Sequence, residues 1–166
     1  MHHDSTIIKR WNEAVSIDDD VWILGDISWH NVTTTYTLIE SLNGVKHLCV
    51  GNHDKKLLRN PDFRKLFVEI CDYKEIKSTE GKDIILSHYP IPCFNRHYYG
   101  AYHLYGHVHT GFEYNIMENV RRQMKDLYDA PCNMYNVGCM LPYMNYKPRT
   151  LEEIVEGYNR FKKGII

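Results

Sequence analysis

The sequence predicts an α/β fold of the layered-sandwich type. Two observations carry that expectation. Short, continuously apolar, β-branched runs alternate with stretches of helical periodicity. No repeat, low-complexity tract or Pro/Gly/Ser linker divides the 166 residues, a length that suits one domain over 1–166 with about 70% of its unfolded surface buried.

Taken in order, "STIIKRWNEAV" sets Ile7, Ile8, Trp11 and Val15 at helical spacing behind Ser5, an expected N-cap. The acidic turn at 18–20 stops that helix. "VWILGD" (21–26) has the pattern of a strand buried on both faces and ends in Gly25-Asp26. A second helix shows Leu38, Ile39 and Leu42 on one face, with Asn43-Gly44 as its stop. "VKHLCVGNHD" is again an apolar run, a glycine and polar groups, and "KKLLRNPDFRKLF" reads as short helical pieces divided at Pro61. "VEICDYKEIK" reads as one strand, and "KDIILSHYP" as a strand ending in Ser87-His88. After "YHLYGHVH", the stretch "MENVRRQMKDLY" puts Met117, Val120, Met124 and Leu127 on one helical face, and "NMYNVGC" reads as the last central strand. Thr150 and Glu153 form a capping box before Leu151, Ile154, Val155, Tyr158 and Phe161, a closing helix expected to pack on the sheet.

Composition narrows the function classes. The 43% hydrophobic and 25% charged fractions are those of a globular chain, and no apolar run approaches the roughly 20 residues of a bilayer span. No signal peptide is recognisable, so no membrane association is expected. With a net charge of −1 and scattered basic residues, no electrostatic footprint for nucleic acid emerges. The five cysteines lack a CxxC pair and read as free thiols of a cytoplasmic protein. Ten histidines are unusual, so their positions must decide their meaning.

Four apolar runs end in Gly-Asp (25–26), Gly-Asn-His-Asp (51–54), Ser-His (87–88) and Gly-His-Val-His (106–109). In open α/β sheets, sites form beyond the carboxyl ends of the strands, where such groups can converge. Carboxylate, amide and imidazole without thiolate suit Mn, Fe, Zn or Ni in a catalytic centre better than a structural zinc. A binuclear hydrolytic site is the functional candidate. His107 and His109, two apart on an extended segment, are expected to point to the same side. His47 and His103 read as strand structure, and His97, with Arg96, Tyr98 and Tyr99, as solvated loop.

In these ordered motifs the chain resembles the calcineurin-like metallophosphoesterases, whose fold is a layered αββα-type sandwich. The resemblance implies that Asp26 bridges two metals, that Asn52, His88 and His107 complete the second site, and that His109 reaches the first. It implies that His53 is catalytic, stabilising the transition state or protonating the leaving oxygen, work suited to imidazole. Asp54 would orient His53 or hold the loop. A metal-bound hydroxide would attack a phosphomonoester or phosphodiester in a small phosphorylated substrate.

The family's first motif, Asp-x-His on an N-terminal strand, has no counterpart before Asp26, so the expected sandwich lacks its first β-strand. Three readings stand. Met1 is an internal methionine of a longer protein; or the protein is truncated and holds one metal or none; or His2, His3 and Asp4 replace the lost ligands. A catalytically reduced scaffold of the same fold is therefore the alternative to the enzyme, with a nuclease third and an oligomer possible.

Overall fold

The computed structural model describes residues 2–166, with side chains from Asp4 onward. The side chains of His2 and His3, proposed above as substitute ligands, lie outside the described residues; Asp4 pairs with the His30 imidazole at 3.1 Å.

The fold is mixed α/β. Strands β1 (Asp20–Ile23), β2 (Val45–Cys49) and β3 (Glu69–Cys71) form a parallel sheet in that order. Strands β4 (Tyr73–Lys77), β5 (Asp83–Ser87), β6 (Tyr102–Tyr105) and β7 (Asn133–Asn136) form a second sheet, in which β4 runs antiparallel to β5 and the other pairs are parallel. Among the described residues five α-helices accompany them: α1 (His2–Ala14), α2 (Val32–Glu40), α3 (Pro61–Arg64), α4 (Phe112–Tyr128) and α5 (Leu151–Lys162). No helix among the described residues is long and apolar enough to cross a membrane.

Alternation of side chains on each strand sorts the core into three clusters. Leu24 and Cys49 at the end of the first sheet join Ile84, Leu86, Leu104 and Tyr135 of the second in one cluster, closed by Leu151, Ile154 and Tyr158 of α5. Leu48 turns to the opposite side and packs with Ile39, Leu42, Leu57 and Phe63, beneath Ile8 and Trp11 of α1. Ile85, Tyr105 and Met134 face the third cluster, where Met117 and Met124 of α4 cover them.

Several sequence expectations hold, and others are corrected. The Thr150/Glu153 capping box is formed in both directions, a feature worth about 1 kcal/mol to α5. Gly44 has φ +95°, but α2 already ends at Glu40. Ser5 lies inside α1 rather than capping it. The run 68–77 is two strands in two sheets, because Ile70 pairs in parallel with Leu48 while Tyr73–Lys77 forms an antiparallel edge with period-two burial. Strand β7 is an edge strand, pairing among the described residues with β6 only, although Met134 and Tyr135 are buried. On α4 the half-buried face includes Tyr114, Met117, Arg121 and Met124, and Leu127 is exposed. Arg121 rotates that face: its guanidinium lies over the rings of Tyr135 and Tyr158, and its Nε donates to the Cys132 carbonyl.

Candidate metal centre

Strand register gathers the polar tips. Pairing of Ile23 with Leu48 sets Gly25-Asp26 beside Val50-Gly51, and pairing of Ser87 with Tyr105 sets His88 beside Gly106. Gly25 (φ +81°) and Asp26 (φ +52°) both take left-handed backbone, which turns the chain sharply off β1. The turn passes so close to Gly51 that a Cβ there would lie 2.4 Å from the Asp26 amide nitrogen and 2.3 Å from its Oδ1, so only glycine fits.

Asp54 holds the two turns together. It is fully buried, and its carboxylate accepts from the backbone N–H groups of Asp26 (2.9 Å), Ile27 (2.9 Å) and Gly51 (2.8 Å). Three N–H donors satisfy a buried charge that would otherwise be costly. Of the two roles the resemblance offers Asp54, holding the loop is the one its contacts match. The Asp26 carboxylate accepts from the His53 backbone N–H at 3.0 Å, extending the same clamp.

His88 links the two sheets. Its Nδ1 lies 2.7 Å from the Leu24 carbonyl, which can only accept, so the proton sits on Nδ1. The buried Nε2 then meets the Asn52 amide oxygen at 3.1 Å, His107 Nδ1 at 3.1 Å and Asp26 Oδ2 at 3.4 Å. Two of these neighbours are acceptors only and the third is an imidazole. Such a set of acceptor atoms can accommodate a cation. Among the described residues, Asp26, His88 and His107 form a group whose ligating atoms all lie within 4.8 Å of one another. Their oxygen and imidazole donors fit a borderline divalent ion.

His109 stands apart from this group and is exposed. The segment is not extended as its spacing suggests: His107 has φ +57°, and the Val108 N–H turns back to the Gly106 carbonyl at 2.7 Å. The strand-like alternation expected for the two imidazoles therefore does not apply at this turn. His53 is exposed beside Asp26, with the Trp29 ring centred 4.1 Å from its own.

The site's supporting residues carry weak sequence signals. Tyr89 flanks the site, its ring centred 4.6 Å from that of His107, and is held by the Ser87 hydroxyl donating to its carbonyl at 2.6 Å. Buried Asn136, at the end of β7, donates to the Val108 carbonyl and fixes the loop that carries His107. Trp29 and Tyr89 are single exposed aromatics with no pattern to announce them. The hint for Asn136 is a polar residue closing an apolar strand, as at the other tips. His97, expected in solvated loop, is buried against Phe94, while Tyr98 and Tyr99 are exposed. On β2 and β3 the sulfurs of Cys49 and Cys71 lie 3.8 Å apart. Burial pushes both thiols up, leaving them weak nucleophiles and weak ligands.

No protein-family model matches the chain. Over 104 residues it is 34% identical to the gene 66 protein of Mycobacterium phage L5, covering 53% of this chain and 50% of that protein. The chain thus spans about half the length of that relative. An uncharacterized protein of Methanocaldococcus jannaschii is 27% identical over 157 residues, 92% of this chain and 73% of its own length. A crystal structure of a protein of unknown function from Aquifex aeolicus superposes with a TM-score of 0.63 at 26% identity, covering 92% of this chain and 83% of that one. That likeness supports the α/β fold described above.

Proposed function

We propose that the protein is a metal-dependent phosphoesterase of the calcineurin-like class, hydrolysing a phosphomonoester or phosphodiester. The observation that carries this reading is the convergence of Asp26, His88 and His107 beside Asn52, with the His53 imidazole exposed beside Trp29. A bound divalent ion would supply Lewis-acid neutralisation of phosphoryl oxygens and lower the pKa of an attacking water. The chain's own residues do the rest. Asp26, His88, His107 and the Asn52 amide oxygen would hold the ion, with the His88 tautomer set by the Leu24 carbonyl. Asp54 keeps the Gly25-Asp26 and Gly51–His53 turns at one spacing. His53 donates a proton to the departing ester oxygen, and the Trp29 ring limits where its imidazole can swing.

Mn²⁺ binding measured calorimetrically and turnover of aryl phosphate mono- and diesters test the reading together. His53→Ala is expected to lower kcat by about 10²–10⁴-fold at unchanged metal content, the usual worth of general acid catalysis. Asp26→Ala is expected to lose metal and turnover together. A protein that binds Mn²⁺ but turns over no ester would instead be the catalytically reduced scaffold, a reading favoured by the exposure of His109 outside the donor group.

A further inference from the structure

We propose that the cleft beside His107 binds the organic group of the phosphoester, and that this group is uncharged, planar and one or two rings in size. The inference deepens the phosphoesterase reading and rests on it. The cleft has a volume of about 350 Å³ and is lined by Tyr89, Pro90, Val108, Ile116 and Met117 together with His107 itself. His107 belongs at once to this wall and to the donor group, its Nδ1 lying 3.1 Å from His88 Nε2. An ester whose phosphoryl group sits at the donors therefore has an apolar wall next to its substituent.

The chemistry of the wall selects the occupant. Its one formally charged residue is Glu113, and it contains no Lys or Arg to neutralise a second phosphate or a carboxylate. Tyr89 and Phe112, exposed to 48% and 73%, present aromatic surface at the cleft, and covering them with a flat ring is favourable in both area and stacking. Ile116, 44% exposed, adds apolar surface from α4. The volume lies at the low end of small-molecule sites, which matches a one- or two-ring group.

The test compares 2-naphthylmethylphosphonate with methylphosphonate, both non-hydrolysable, for binding to the Mn²⁺-loaded protein by calorimetry. Turnover of the two corresponding phosphate esters, whose alcohols leave with similar difficulty, is measured in parallel. The naphthyl compound is expected to bind at least about tenfold more tightly, with the preference shrinking to within about threefold in Ile116→Ser and in Phe112→Ser. Both positions are solvent-accessible, and unchanged melting temperatures confirm that the variants fold. Equal affinities in the wild type, or a preference that survives both substitutions, would overturn the subsite while ester turnover still upholds the phosphoesterase. Failure to bind either phosphonate and to hydrolyse either ester overturns both.

Discussion

His88 and His103 are both buried, and each places Nδ1 against a backbone carbonyl, that of Leu24 for His88 and of Ile85 for His103. Their second nitrogens differ. His103 Nε2 accepts the Ile91 backbone N–H at 3.0 Å, which closes its hydrogen bonding and makes it a structural strut between β6 and the loop after β5. His88 Nε2 instead faces a carboxylate, an amide oxygen and another imidazole. The same residue type at the same depth is a satisfied core histidine in one place and a member of a donor cluster able to hold a metal ion in the other. Burial alone does not separate the two; the partner of the second nitrogen does.

That contrast can be broken most forcefully at Asp54, which keeps the His88 neighbourhood assembled. Asp54→Ala leaves three backbone N–H groups without their acceptor and is expected to cost about 3–5 kcal/mol in urea unfolding. The same variant should lose Mn²⁺ binding, because the two turns no longer hold their spacing. A stable variant with wild-type affinity would show that Asp54 is not the clamp.

Exchanging the two histidines sharpens the contrast directly. His88→Gln should weaken Mn²⁺ binding by about 100-fold or more, removing most of the roughly 2.7 kcal/mol of stabilisation that metal at 100 times its Kd confers. His103→Gln should lose about 1–3 kcal/mol of stability yet keep Mn²⁺ affinity within about threefold, since only a structural hydrogen bond is disturbed. Metal-dependent shifts in melting temperature report both, and equal effects at the two positions would erase the distinction.

The smallest effect is a pH dependence. Burial lowers the pKa of His103 despite its backbone hydrogen bonds, so the folded state holds it neutral. Its contribution is fully present above the unfolded value of about 6.5 and is lost as pH falls below that, where the unfolded chain binds the extra proton. Unfolding free energy measured across this range should decline less in His103→Gln than in the wild type. Ring-carbon chemical shifts should meanwhile show His103 still neutral at a pH where exposed imidazoles are protonated.

Much of the architecture is legible because strand and helix leave different periodicities. The continuous apolar runs ending at Gly25, Gly51, Ser87 and Gly106 announce strand tips, and Asp26, Asn52, His88 and His107 follow them directly. The division at 71–73 is not legible, since a parallel edge strand of one sheet and an antiparallel edge strand of the other, joined by Asp72, share one extended pattern. The turn at His107 is hidden for a similar reason: a positive φ at a non-glycine residue has no sequence signature strong enough to overrule a strand-like run. Exposed Trp29 and Tyr89 gain their meaning solely from the imidazoles they touch.

The sequence by itself determines the donor inventory, its order along the chain and its attachment to strand ends, because short-range periodicity and turn residues act within a few positions. The tertiary structure alone decides which donors meet. Asp26 and His88 are separated by 62 positions, and the distance between them is set by strand register, by the close passage of Gly25 against Gly51 and by the buried Asp54 carboxylate that pins the turns. Those are contacts between distant segments, and they turn a set of polar strand tips into a centre with room for a cation.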